Sequence, residues 1–434
     1  MLQKIAIETF GCKLNFAESS YLIQSFDKNK FQIVDTNKEA DFYIVHSCAV
    51  TKNAEKKVRN SIRQYHRKYP NAKIIVIGCY AELAQESLDK IEGISLTLKN
   101  KDKYCLADFL CNFSSEKKEN FLKKNTDNDF FPLYSSVEDR TRLFFKVQEG
   151  CDYFCSYCTI PLARHRSRSA SIKETMKVFY TLVEEYQAQE IVLTGINLGD
   201  FGRKNGETLH DLLTEMAASK LVPRIRLSSV EPDLMTEEII QLIKKESCLM
   251  PHFHLPLQAS TDKILASMRR RYSTSFFKSL LEKIRKEIPD AYISSDILCG
   301  FPGETQEIFE DGLSFIKELD INDMHVFSFS ERPQTKAAEL ENKIPAIEKN
   351  RRSKILRAIA NEKKQAFIQQ AVNKKHLVLF EKEESNMYLY GFTENYLRVK
   401  IKYNKDYSNS IIPLITSSPD ADGVLTIKEI CIQD

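Results

Sequence analysis

The stretch LFFKVQEGCDYFCSYCTIPLARHRSRS (residues 143–169) decides how this chain is read. Its first part, LFFKVQEG (143–150), is an apolar run of strand length. Cys151, Cys155 and Cys158 follow at once, spaced C-x3-C-x2-C, and behind them come Arg164, His165, Arg166 and Arg168. Three thiols on one tight loop are one ligand short of a closed structural zinc site, which takes four. Either a further residue completes a zinc knuckle, with His165 seven positions on, or the thiolates hold three irons of a [4Fe–4S] cube and leave the fourth iron open.

The surroundings bear on that choice. EIVLTG (190–195), RIRLSS (224–229), HFHLPL (252–257), YISSDILCG (292–300) and MHVFSFS (324–330) read as further strands, with helices over 172–187, 207–219, 236–245, 274–287 and 304–319. Apolar strands separated by amphipathic helices imply a parallel sheet covered by helices. Six such units over about 190 residues predict a barrel-like parallel fold, closed or partial. The cysteine loop then leaves the carboxyl end of the first barrel strand, where barrel active sites form.

The same alternation runs upstream. KIAIETF (4–10), FYIVHS (42–47) and KIIVIG (73–78) read as strands, and 15–28, 51–68 and a segment from about 81 as helices. Cys12, Cys48 and Cys79 each lie one or two residues past a strand end, where ligands of open parallel sheets gather. Free cysteines are also commonly buried as small apolar residues. Three in three successive units point to a shared site, and all-thiolate coordination selects zinc or an iron–sulfur cluster. Cys105 and Cys111 have no such placement and read as core or surface positions.

A chain of 434 residues has room for two or three domains. An odd count of 11 cysteines argues against a disulfide framework. The N-terminus lacks signal-peptide character and no window would span a membrane, so a cytoplasmic enzyme without a membrane partner is expected. Net charge is only +3, so any nucleic-acid surface must be local; the Arg-rich 164–168 and RRRY (269–272) are the candidate patches, or else solvated faces. Residues 112–138 are charged and aperiodic, as in a linker, and 345–371 read as one long basic amphipathic helix. HLVLFEKEE, MYLYGFTENYLRVKI and GVLTIKEI then suggest a small antiparallel, OB-like barrel. The expected class is α/β: a parallel N-terminal domain (1–115), a linker (116–138), a partial TIM-like barrel (139–370) and a small β-domain (371–434).

With Tyr157 before its last cysteine, the C-x3-C-x-aromatic-C pattern resembles the radical S-adenosylmethionine superfamily. Two three-cysteine motifs in this order, followed by a β-domain, resemble its methylthiotransferase family over essentially the whole chain. The resemblance implies two [4Fe–4S] clusters, an auxiliary one on Cys12, Cys48 and Cys79 and a radical-generating one on Cys151, Cys155 and Cys158. It also implies an RNA-binding TRAM domain at the C-terminus. One S-adenosylmethionine would methylate a sulfur on the auxiliary cluster, and a second would supply the 5′-deoxyadenosyl radical that opens a C–H bond to sulfur. LTGINLGD (193–200) lies where that superfamily meets the methionine amino group, which makes Gly195 and Asn197 candidate cofactor contacts beside Tyr157. Ser229, Glu231, His254, Gln258 and Asp296 cap strand ends and join them as a set, although polar residues there also satisfy backbone groups.

Finer text suggests the substrate. ETFGCKLN (8–15), HSCAVTKNAEKK (46–57) and GFTENYLRV (391–399) look like the members that act on threonylcarbamoyladenosine beside the tRNA anticodon. Members acting on isopentenyladenosine usually read YGCQMN at the first site, and those acting on a ribosomal-protein aspartate LGCPKN. The implied product is 2-methylthio-threonylcarbamoyladenosine at position 37 of tRNA. The implied partners are the anticodon stem-loop and a reductant such as flavodoxin or ferredoxin. The two other substrates remain alternatives, as does a zinc-containing RNA-binding protein. Arg164, Arg166 and Arg168 are expected to hold phosphates near the radical, and helix 345–371 and the tail to grip the tRNA arm. PLQASTD (256–262) departs from the family's PLQSGSD by losing a glycine. Cys299, where an aliphatic residue is usual, reads as a core substitution.

Overall fold

The computed structural model describes residues 2–111, 133–135, 141–385 and 387–431. Its first unit is a parallel sheet of β1 (Gln3–Thr9), β2 (Phe31–Ile33), β3 (Phe42–Ser47), β4 (Lys73–Gly78) and β5 (Ile94–Thr97), in the order β2-β1-β3-β4-β5. Successive side chains of a strand point to opposite faces. Ile44, Ile75 and Ile77 accordingly pack with Leu22 of helix α1 (Lys13–Ser25), while Val45, Ile74 and Val76 pack with Val58 and Ile62 of helix α2 (Lys52–Lys68). Runs that are apolar at consecutive positions suit a strand buried on both sides. The edge strands β2 and β5 are too short to leave such a pattern and were not expected from sequence.

The expected linker 116–138 lies outside the described residues, save for 133–135. There β6 (Tyr134–Ser135) adds an antiparallel edge to β7 (Arg142–Lys146). After the short antiparallel pair β8 (Gln148–Glu149) and β9 (Arg168–Ser169), strands β10 (Glu190–Thr194) and β11 (Arg224–Leu227) continue from β7 in parallel, and β12 (His252–His254), β13 (Tyr292–Cys299) and β14 (Asp323–Ser328) form a second parallel group. Isolated bridges, Ile225 to Leu249 and Ser229 to His254, cross the gap between the groups, so the barrel is partial. Leu143, Phe145, Ile191, Leu193, Ile225, Phe253, Ile293 and Val326 belong to the core shared with the helices. Their alternates, including Phe144, Lys146, Glu190, Arg226, His254, Asp296 and His325, therefore face the concave interior.

Two neighbours fill that interior. Ala17 of α1 packs on Phe144 and Val192. The C-terminal strands Lys375–Ser385, Tyr388–Thr393, Arg398–Lys402, Ile411–Pro419 and Leu425–Ile430 form a closed barrel. Arg224 Nη1 donates to the carbonyl of Phe392 at 3.0 Å, and Arg226 Nη1 to that of Glu394 at 3.1 Å. Helix Ala346–Gln370 buries Leu356, Ile359 and Ala360 in the barrel core and Phe367 and Ile368 against the C-terminal strands, so one face is committed to packing rather than to RNA. No helix among the described residues is long and apolar enough to cross a membrane.

Candidate functional site

Strands β1, β3 and β4 are neighbours, and Cys48 and Cys79 directly follow the last two of them. Cys12 caps α1 three residues beyond β1. The sheet thus delivers the three thiols to one edge. The chain before Cys12 packs tightly on Cys48: a Cβ on Gly11, whose φ is +110°, would stand 3.1 Å from Cys48 Sγ. Only glycine fits that backbone and that gap. Burial pushes the Cys48 thiol up to about 11 and raises that of Cys12, and the Cys79 sulfur adds to both.

One guanidinium joins this edge to the barrel. Arg164 closes the short helix Ile160–Arg164 that follows the second cysteine loop, and it is 1% exposed. Its Nε donates to Cys79 Sγ at 3.2 Å, Nη2 to Asn15 Oδ1 at 2.7 Å, and Nη1 to Glu18 at 2.8 Å and Glu149 at 3.0 Å. Glu18 also takes Lys103 at 2.6 Å, and Glu149 takes Lys146 at 2.6 Å. Burial alone would raise both carboxyls, but the cations outweigh it and hold Glu149 at about 2 and Glu18 well below its usual range. Three buried cations, Arg164, Lys103 and Lys146, face two carboxylates here, so the surroundings of Cys79 carry an excess of positive charge.

The expectation for the arginines is corrected in part. Arg164 has no free donor geometry or exposure for a phosphate; its charge is spent inside. Arg168 contacts Glu149 at 3.3 Å. Arg166 stands at the surface, 68% exposed, with its guanidinium 4.5 Å from the Phe154 ring centroid and 3.4 Å from Asp152.

The second trio sits on the loop after the Gln148–Glu149 strand. Cys158 N bonds Cys155 O at 3.0 Å, and burial pushes the thiols of Cys151 and Cys158 up to about 12. Arg270 Nη1 donates to Cys155 Sγ at 3.3 Å and the same guanidinium pairs with Glu231 and the Tyr272 hydroxyl. Sequence reading had placed Arg270 in a nucleic-acid patch; its side chain is 2% exposed and belongs to this loop. Tyr157 packs on the barrel core, and its hydroxyl is raised by burial. Ligation takes thiolate, so any metal bound here must displace protons.

A zinc ion with Zn–S near 2.3 Å draws tetrahedral thiolates to about 3.8 Å apart. Among the described residues, the set of ligand-type side chains whose donor atoms all fall within 4.8 Å is His254, Asp296 and His325, and neither cysteine trio is drawn in so far. A cube asks for no such convergence, because each thiolate points at a different iron.

The remaining candidates line the interior. Gly195 lets Gln148 come close, and Gln148 Oε1 accepts from the backbone of Ile196 and Asn197, both at 2.9 Å. Asn197 is 1% exposed; its Nδ2 donates to Asp200 at 2.9 Å, while its Oδ1 is buried without a donor. Ser229 bridges His254, and Gln258 bridges Ile297 with φ +68°. His254 Nε2 and His325 Nδ1 reach the two oxygens of Asp296 at 3.2 and 3.3 Å. Burial would raise this carboxyl, but the two imidazoles outweigh it and depress it strongly. Sequence reading missed His325; its signal was the register of β14, which sets it opposite Asp296.

Comparison with known proteins adds to this geometry. The model described as uncharacterized protein family UPF0004 matches residues 4–98, and that of the radical SAM superfamily matches 145–316. The threonylcarbamoyladenosine tRNA methylthiotransferase MtaB of Bacillus subtilis is 33% identical over 94% of this chain and 92% of its own length. MtaB of Thermotoga maritima is 33% identical over 93% and 92%. The tRNA-2-methylthio-N(6)-dimethylallyladenosine synthase of Endomicrobium trichonymphae is 30% identical over 92% and 94%. Among solved structures, the radical S-adenosylmethionine methyltransferase TsrM of Kitasatospora setae superposes with a TM-score of 0.55 at 12% identity, covering 78% of this chain and 77% of that one, a likeness of fold.

Proposed function

This chain belongs to the methylthiotransferase family of radical S-adenosylmethionine enzymes, and from that premise we propose that it converts N6-threonylcarbamoyladenosine at position 37 of tRNA to its 2-methylthio derivative. Membership brings a [4Fe–4S] cluster and S-adenosylmethionine. We assign that cluster to Cys151, Cys155 and Cys158, and a second, auxiliary cluster to Cys12, Cys48 and Cys79. The observation that supports the reading is Arg164, which ties Cys79 to a helix beginning two residues after Cys158 and so links the two cysteine loops. When bound, the clusters and cofactor supply the electron, the radical and the methylated sulfur.

The chain's own groups hold and orient. Asn197 Oδ1 offers a buried acceptor for the cofactor's ammonium, and the His254–Asp296–His325 group offers further polar contacts on the concave face. Arg270 stabilises the thiolate of Cys155. Arg166 stands where a phosphate of the anticodon loop can reach it, and an adenine must leave its stack to enter. We read 1–115 as the auxiliary-cluster domain, 139–370 as the radical domain and 371–434 as the RNA-binding tail. A flavodoxin or ferredoxin would deliver the electron.

The test is anaerobic turnover on tRNA with and without the threonylcarbamoyl group, read by nucleoside mass spectrometry. The 2-methylthio product should form on the threonylcarbamoylated tRNA. Product only on isopentenyladenosine tRNA, or only on a ribosomal protein, would refute the substrate.

A further inference from the structure

The interior between α1, β7, β11 and the C-terminal barrel holds cations that the chemistry above leaves unused. Lys13, one residue past Cys12, sets its ammonium 5.9 Å from the Phe144 ring centroid. Arg142 lies 4.1 Å over Phe392 and 5.8 Å from the ring of Tyr396. Arg226 lies 4.9 Å from that same Tyr396 ring. Thus two guanidiniums from different strands meet one tyrosine ring, and Lys13 lies over Phe144 of the strand that carries Arg142.

The anions nearby do not match them. Glu190 is the buried carboxylate, and Arg226 takes it with both Nε at 2.9 Å and Nη2 at 3.0 Å. Arg142 touches Glu381 at 3.5 Å toward the rim, where that carboxylate is 30% exposed. Among the described residues Lys13 makes a ring contact and no ion pair. Tyr396 registers the surplus: burial pushes its hydroxyl up, yet Lys13, Arg142 and Arg226 outweigh burial and bring it below its ordinary value. Uncompensated charge in an interior is costly. It persists where a ligand brings the missing anion.

We propose that Lys13, Arg142 and Tyr396 form a carboxylate seat that receives the threonyl carboxylate of the modified adenosine. The inference rests on the substrate reading above and deepens it. Arg226 is held by Glu190 and shapes the potential. Lys13 supplies the ammonium beside Cys12, Arg142 a guanidinium set against the rings of Phe392 and Tyr396, and Tyr396 a hydroxyl from the C-terminal barrel. A neutral N6 substituent would leave the surplus positive charge without this anion, so the seat selects for an anionic one.

The experiment measures binding of anticodon stem-loop RNAs to the anaerobic holoprotein. The RNAs carry threonylcarbamoyladenosine, its methyl ester, or plain adenosine. The acid should bind at least about tenfold tighter than the ester, as expected for a charge-assisted contact. Lys13→Gln should cut that ratio below about twofold, and Lys13→Arg should keep most of it. Equal binding of acid and ester by the unmutated protein overturns the seat without any variant. A ratio preserved in Lys13→Gln, with iron content unchanged, overturns the role of Lys13. A protein that distinguishes acid from ester but never thiolates the acid sinks the substrate reading and leaves the seat standing.

Discussion

Arg164 and Cys79 lie 85 positions apart, yet the guanidinium Nε donates to the thiol sulfur at 3.2 Å. The contact crosses from the barrel to the N-terminal sheet and is sealed from water. It makes the charge state of one cysteine trio depend on the loop that carries the other. Arginine suits the post, because a planar fork can meet Asn15, Glu18, Glu149 and Cys79 together.

Arg164→Met should therefore destabilise the protein by about 3–5 kcal/mol, the usual cost of stranding a buried partner such as Glu18. Anaerobic urea unfolding measures it. Iron bound at the first trio should fall as well, and Arg164→Lys should restore only part of both, since an ammonium cannot bond all four partners at once.

Replacing Cys12, Cys48 and Cys79 by alanine should leave about four irons per chain and retain cleavage of S-adenosylmethionine while abolishing sulfur insertion. Replacing Cys151, Cys155 and Cys158 should abolish cleavage. Loss of cleavage in the first variant, with its barrel iron intact, would refute the division of labour.

Asn197→Ala removes an acceptor that is buried without a donor. Binding of S-adenosylmethionine should weaken about tenfold, the worth of one hydrogen bond to a charged group. Calorimetry on the anaerobic protein gives the affinity, and an unchanged Kd would exclude Asn197 from the cofactor site.

Acid should act on the interior in two stages. Burial lowers the His46 imidazole from 6.5 to about 4, so between those values the unfolded chain binds a proton that the folded chain does not. Stability should then fall as pH drops from about 6.5 toward 4 and stay level above it. Glu149, held at about 2 against 4.5 in the unfolded chain, adds a second loss as pH falls from about 4.5 toward 2. Unfolding free energies at pH 7.5, 5.5 and 4.5 test the first stage, and His46→Gln should flatten the slope.

Arg224→Ala should loosen the C-terminal barrel, because both terminal nitrogens bond carbonyls there, those of Phe392 and Leu377. Limited proteolysis should cut the tail faster and binding of tRNA should weaken, while the iron content holds.

Much of this was written in short-range pattern. The strands Phe42–Ser47 and Lys73–Gly78 and the helix Thr274–Glu287 end where the sequence reading put them, because apolar runs and amphipathic periods are local. Cys48 and Cys79 directly follow the ends of neighbouring strands, as read from sequence, since a parallel sheet delivers consecutive carboxyl ends to one edge. Residues whose role depends on a distant partner were misread. Arg164 and Arg270 looked like surface charge because arginine usually is, and His325 looked like one more strand position.

By itself, then, the order of residues determined the alternating strands and helices, the two thiol triplets and the kind of metal chemistry they suit. The strands and helices need only neighbours within one strand–helix unit, and the cysteine spacings are read directly along the chain. Tertiary structure alone decided which charges are buried and against what: Arg164 on Cys79 and Glu18, Arg270 on Cys155 and Glu231, and Lys13 facing Arg142 and Tyr396. The physical reason is that the energy of a charge is set by its whole surroundings, and those surroundings come from segments that meet only when the chain has closed.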